Sequence, residues 1–262
     1  MTLYNYAVGG SSCSNTITPS NLTYPRTRVQ GPTFPSVLEY AIPAFEADQA
    51  TTRINTSEAY FQPALTPSDS VFVMWIGTND LRTGASFLTD SQARGKTISD
   101  FTDCVYAALD RLYAAGARTF VLMNTAPLHL APQFANKTLD DQGTGNVTAM
   151  AEKMHQLTTS INSIFKYQTP YEFRVSNRYP LARVALFDVW SLFHVIYFHP
   201  DNYFNGTDPA DVTGCVRWSK NKASPDSFMW QDDIHPSEQT DRIIAENFVQ
   251  VLNGSSKYAQ YW

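Results

Sequence analysis

Val71-Phe72-Val73-Met74-Trp75-Ile76-Gly77-Thr78-Asn79-Asp80 is the stretch that decides how the rest of the chain is read. Residues 71–76 are apolar on both faces, which suits a parallel strand covered by helices on either side. Gly77 then turns the chain. Active sites of open α/β sheets gather at the carboxyl ends of strands, and Asn79 stands at such an end. A side-chain amide fixed there can donate to a developing oxyanion, worth roughly 2.7–4 kcal/mol in hydrolases that use one. An Asn that merely makes an Asx-turn would look the same.

Working outward, strand-like runs bounded by turn residues occur at 3–8, 70–76, 119–124 and 184–190. Helical apolar periods occupy 99–115, 147–166 and 237–252, the first stopping at Gly116 and the last at Asn253-Gly254. Alternating strands and helices specify an α/β sandwich with right-handed crossovers. Residues 12–67 are different, rich in Pro, Thr, Ser and Asn around one helical piece at 36–48. They and 199–227 read as long connections, either a decorated surface or a substrate-facing lid. With no repeat and no linker, residues 1–262 read as a single domain.

Composition narrows the function. Hydrophobic residues make up 43% and charged residues 16%, enough apolar material for a buried core. A net charge of −5 without a basic stripe argues against nucleic acid. No apolar run is long enough to span a membrane. Met1-Thr2-Leu3-Tyr4 opens without a signal peptide, which alone would suggest the cytoplasm. Glycosylation sequons point the other way: Asn21, Asn55, Asn136, Asn146, Asn205 and Asn253 each begin Asn-x-Ser/Thr, and such sites matter only in secreted proteins. A secreted protein is therefore expected. Of the 3 cysteines, Cys104 falls on the apolar face of a predicted helix and reads as a buried thiol. Cys13 and Cys215, both in loop-like sequence, are expected to pair.

Two more segments carry chemistry. In Asp232-Asp233-Ile234-His235-Pro236, an acid three residues before a histidine can orient its Nδ1 and leave Nε2 to accept a nucleophile's proton. The same residues also suit a plain helix start. In Asn5-Tyr6-Ala7-Val8-Gly9-Gly10-Ser11 a strand enters a double-glycine turn, where a backbone N–H can approach a substrate closely. The five histidines (His129, His155, His194, His199 and His235) show no metal spacing. His194 and His199, five apart, share no face and read as structural or groove-lining. No metal, nucleotide or other cofactor is implied.

Taken together and in this order, the three segments resemble the signature blocks of the SGNH (GDSL-like) hydrolases: a Gly after strand two, Gly-x-Asn-Asp after strand three, and Asp-x-x-His-Pro near the end. The resemblance covers nearly the whole chain, and the wording of the blocks is similar to fungal acetylesterases of carbohydrate esterase family 16. It implies a flavodoxin-like three-layer sandwich with a five-stranded parallel sheet. It also implies hydrolysis of acetyl esters of carbohydrates or small esters without a cofactor; separately, a monomer is expected. Gly10 and Asn79 would be oxyanion donors, His235 the general base and Asp232 its partner, with Asp233 a solvated acid. The family's first strand, ending in Gly-Asp-Ser with the nucleophile, has no counterpart in this sequence. Ser11 and Ser12 follow Gly10 but belong to the neighbouring loop. The resemblance thus implies an esterase whose first strand and serine lie upstream, and a polypeptide inactive as written. The alternative is a secreted, non-catalytic glycan-binding protein that keeps the cleft.

Overall fold

The computed structural model describes residues 2–19, 34–52, 58–82, 86–135, 147–219 and 224–262. The sequons at Asn21, Asn55, Asn136 and Asn146 lie outside the described residues; Asn205 and Asn253 are exposed. The chain forms two compact units, one of Met1–Leu122, Ile164–Val184 and Trp262, the other of Met123–Ser163 and Ala185–Tyr261.

In the first unit, a π-helical turn at Val37–Ala41 runs into α1 (Ile42–Ala50). The Ser36 hydroxyl caps the turn by accepting from the Glu39 N–H at 3.2 Å. β1 (Phe72–Met74) leads to the one-turn helix α2 (Thr78–Leu81), and α3 (Ile98–Ala114) leads to β2 (Thr119–Met123). β1 and β2 pair in parallel, Val73 opposite Val121. α3 begins on a capping box between Thr97 and Asp100 and stops at Gly116, whose φ of 104° lies in the left-handed region. Its buried face, Phe101, Cys104, Val105, Ala108, Leu109 and Leu112, recurs at three and four residues, as an amphipathic helix requires. Phe101 and Tyr106 pack on Phe165 at 6.5 and 6.4 Å, and the Tyr179 hydroxyl donates to the Tyr106 carbonyl at 3.1 Å.

Along the chain, α5 (Val147–Pro170) and β3 (Arg183–Phe187) pass from one unit to the other. The second unit adds α4 (Pro132–Ala135), α6 (Val189–Phe198), β4 (Asp211–Cys215), β5 (Phe228–Trp230), α7 (Glu238–Leu252) and β6 (Ala259–Tyr261). The four-stranded order is β1-β2-β3-β6, with β6 antiparallel to β3 and Leu186 opposite Gln260. β4 and β5 form a separate parallel pair. This is an α/β fold around a mostly parallel sheet, as the sequence implied.

Three expectations need correcting. Residues 3–8 belong to no strand: the Ala7 N–H bonds the Asn5 side chain at 2.9 Å rather than a neighbouring backbone. Alternation specifies extension, whereas a strand also needs a partner. The strand expected at 184–190 ends at Phe187, because the Asp188 carboxylate caps α6 by accepting the Ser191 N–H at 3.0 Å. Finally, Cys13 pairs with Cys104, Cα atoms 6.3 Å apart, and Cys215 is the buried free thiol. The buried face of α3 puts Cys104 against the loop after Gly10, and burial raises the Cys215 thiol's pKa.

Candidate active site

The oxyanion candidates belong to the first unit. The segment 4–8 ends in a turn closed by the Ser11 N–H donating to the Val8 carbonyl at 3.0 Å. Gly10 sits inside it with φ 89°, a conformation that disfavours any residue with a Cβ. After β1, Gly77 at φ 129° starts α2 and places Asn79 over that loop. The Asn79 amide donates to the Ser11 carbonyl at 3.0 Å. A primary amide carries two N–H groups, so this bond fixes Asn79 and leaves it a second donor.

Asp80, to which sequence reasoning gave no role, locks the same loop from beneath. It is fully buried and accepts from the Thr18 hydroxyl at 2.8 Å and the Cys13 N–H at 3.2 Å. Burial pushes its carboxyl up to about 6, against the opposing pull of the Thr18 and Cys13 donors. Its place as the last residue of the Gly-x-Asn-Asp block, next to apolar Leu81, was the hint in the sequence. Ser11 and Ser12 are buried, their hydroxyls directed to the Ser12 and Thr18 carbonyls at 3.3 and 3.4 Å. Neither presents a nucleophile.

The acid–base candidates belong to the second unit, in the turn between β5 and α7. Backbone bonds clamp this turn on both sides: Gln231 N–H to the His235 carbonyl at 2.8 Å, and Ser237 N–H to the Met229 carbonyl at 2.9 Å. Beneath it, buried Trp230 donates its indole N–H to the Val212 carbonyl at 2.9 Å. Within the turn, Asp232 accepts from the backbone N–H groups of Ile234 at 3.1 Å and His235 at 2.8 Å. Both its oxygens lie 2.9 Å from His235 Nδ1. Burial pushes the Asp232 carboxyl upward, but the His235 and Ile234 N–H groups and the imidazole outweigh it and hold the carboxyl below its usual range. An ionised carboxylate facing Nδ1 assigns the ring proton to that nitrogen and leaves Nε2 with a lone pair. The His235 side chain is 67% exposed. This is the arrangement of a general base oriented by a carboxylate.

The helix-start reading of the same residues is also present: Ser237 caps α7 by accepting from the Thr240 N–H at 3.1 Å. Asp233, read as solvated, is half-buried, and burial next to Asp232 raises its carboxyl pKa. His194 is packed rather than groove-lining: it stacks on Trp190 at 3.8 Å in a cluster with His129 and His155, while His199 is exposed. Among the described residues, no group of three His, Cys, Asp or Glu is placed to hold a metal ion. Nor does any described helix have the length and apolarity to cross a membrane.

A family model of GDSL-like lipases/acylhydrolases matches residues 1–248. An acetylesterase of Hypocrea jecorina is 33% identical over 280 aligned residues, covering 100% of this chain and 75% of that protein. An acetylesterase of Thermothelomyces thermophilus is 22% identical, covering 96% of this chain and 70% of its own length. A thermolabile hemolysin of Vibrio parahaemolyticus is 24% identical; 73% of this chain aligns with 43% of that protein.

Proposed function

The chain belongs to the GDSL-like lipase/acylhydrolase family, and from that premise we propose that it is the greater part of a secreted acetylesterase acting on carbohydrate or small acetyl esters. The observation that carries the proposal is the clamped Asp232–His235 pair, with Nδ1 on the carboxylate at 2.9 Å and the ring exposed. In this reading His235 Nε2 takes the proton of a serine hydroxyl as its oxygen attacks the ester carbonyl. The tetrahedral oxyanion is held by the Gly10 N–H, the second Asn79 N–H and the N–H of the serine itself. The imidazolium then protonates the leaving alcohol, and water, deprotonated by His235, releases acetate from the acyl-serine.

The serine is supplied by a Gly-Asp-Ser segment outside these 262 residues, because none occurs within them and Ser11 and Ser12 are buried. Secretion is supported by the exposed sequons at Asn205 and Asn253 and by the Cys13–Cys104 disulfide, a bond of oxidising compartments. The protein is proposed to act as a monomer. A serine-directed fluorophosphonate tests the mechanism. The protein joined to its upstream-encoded sequence should be labelled on one serine, and His235→Ala should abolish labelling; labelling that persists in His235→Ala contradicts it.

The second reading, a non-catalytic glycan-binding protein, is favoured by the missing nucleophile. It predicts that no upstream sequence confers labelling.

A further inference from the structure

A groove of about 410 Å³ in the second unit lies between the loop at 202–205 and one face of α7. Asn205, which begins the sequon Asn205-Gly206-Thr207, forms part of its wall. Small-molecule sites occupy roughly 300–1,000 Å³, so the groove has room for one sugar ring. The loop is pinned on both sides of the asparagine. Before it, the Gln239 amide donates to the Tyr203 carbonyl at 2.9 Å and ties the loop to α7. After it, the Thr207 N–H donates to the Ser224 hydroxyl at 2.6 Å, and the Ser227 hydroxyl donates to the Asp208 carbonyl at 2.7 Å. Only glycine fits at 206, because a Cβ there would come within 2.5 Å of the Ser227 backbone nitrogen. Asn205 and Thr207 are exposed, and their side chains bond no other described residue.

The α7 wall is fixed as well. Arg242 donates to Gln239 Oε1 at 3.0 Å, Glu238 Oε1 at 2.8 Å and Asp226 Oδ1 at 2.6 Å, so its charge is answered within the wall. The Asn247 amide donates to the Ile243 carbonyl at 2.9 Å, which leaves its Oδ1 to accept. The Glu246 carboxylate is exposed and has no partner among the described residues. Half-buried Tyr203 and buried Ile243 add apolar surface to an otherwise polar groove. An N-acetylglucosamine on Asn205 Nδ2 suits this lining. Its acetamido N–H and hydroxyls meet the Glu246 and Asn247 acceptors, and its acetyl methyl and ring C–H groups meet Tyr203 and Ile243. A covalent tether holds the sugar at high effective concentration, so contacts too weak to capture a free sugar suffice.

We propose that Asn205 carries an N-linked glycan whose first N-acetylglucosamine docks in this groove and braces the 202–208 loop against α7. In the linkage step the Asn205 amide nitrogen bonds to C1 of the first sugar of a lipid-linked oligosaccharide. The C1–O bond to the lipid pyrophosphate breaks, and the amide proton leaves with the pyrophosphate. The proposal rests on the secretion reading but on neither the serine nor the ester-cleaving step. Asn253, also exposed, stands at the C-cap of α7 outside the groove and serves as the control.

The test uses the full chain with its upstream-encoded sequence, secreted from a eukaryotic host that makes high-mannose glycans. Glycopeptide mass spectrometry should find Asn205 occupied. Thr207→Ala removes the sequon but no groove residue, and it should lower the unfolding temperature by roughly 2–4 °C. Thr207→Ser, which keeps the sequon, and Asn253→Gln should leave that temperature unchanged. Trimming with endoglycosidase H to a single N-acetylglucosamine should also preserve it. Glu246→Ala should lower it in the glycosylated protein and have no effect on top of Thr207→Ala, the non-additivity expected of direct contact. A bare Asn205 beside occupied sequons elsewhere would overturn the proposal. So would a Thr207→Ala protein that melts like wild type, loss of the stabilisation on trimming, or a Glu246→Ala effect equal in both backgrounds. Bare asparagine at every sequon would overturn the secretion reading together with it.

Discussion

Asp232 grips His235 twice, through the ring Nδ1 and through the backbone N–H, so the imidazole's orientation and tautomer depend on one carboxylate. Asp232→Asn keeps the shape but offers no anion to the ring. In the serine-containing protein it should lower kcat by about 10⁴, the order seen when a triad aspartate is neutralised. Steady-state hydrolysis measures this, and a loss under tenfold would contradict the assigned role. Asn79→Ala should lower kcat by about 10²–10³ with little change in KM, as for other oxyanion donors. Asp232, His235, Asn79 and Gly10 could be singled out from the sequence because short motifs carry them. Asp80 was not, since its partners Cys13 and Thr18 lie 67 and 62 positions away and no local pattern records such a bond. Its carboxyl, raised to about 6, stands above the roughly 3.9 of an unfolded chain. Its contribution to stability is therefore complete below the unfolded value and is lost as pH rises through about 6. Asp80→Asn should remove that contribution, so urea unfolding midpoints of the variant should fall more steeply than wild type when pH drops from 7 to 4.5.

At the scale of elements, α3, α5 and α7 were legible from period and caps, because burial of one face fixes both. β4, β5 and β6 were not: Asp211–Cys215 and Ala259–Tyr261 carry few apolar or β-branched residues, and Phe228–Trp230 is not embedded in a longer apolar run as β1 is in residues 71–76. The disulfide was misassigned for a related reason. A helix-face cysteine looks like a core thiol until the loop that meets it is known. Peptide mapping should find Cys13 joined to Cys104 and Cys215 as a thiol; Cys104→Ser should cost about 2–5 kcal/mol, the range for removing a native disulfide. The imidazole cluster supplies a pH dependence of opposite sign. His129 packs on His155 at 4.4 Å and lies 5.8 Å from His194, and His194 stacks on Trp190. His129 Nδ1 and His194 Nε2 are buried without hydrogen-bond partners. Burial first, then the neighbouring imidazoles, holds His129 down to about 4; burial and His155 lower His194, with Asp188 opposing. Depressed histidines stabilise fully above about 6.5, their unfolded value, and that stability is lost as pH falls toward 4. His129→Phe should flatten the acid limb of the unfolding-midpoint profile; an unchanged limb would contradict the assignment.

For the molecule as a whole, family and fold class were legible because three blocks in fixed order span almost the entire length, and the family model covers residues 1–248. The substrate was far less legible, because a fold fixes a reaction class at most, while the side chains around a site select the ester. The central claim is that the 262 residues hold the base and the oxyanion donors of a serine esterase whose nucleophile comes from sequence outside them. The most direct measurement is hydrolysis of p-nitrophenyl acetate by the 262-residue protein, by the same protein extended with its upstream-encoded Gly-Asp-Ser segment, and by the His235→Ala form of the extended protein. Turnover is predicted in the extended wild type alone. Turnover by the 262 residues unaided, or its survival after His235→Ala, would contradict the account.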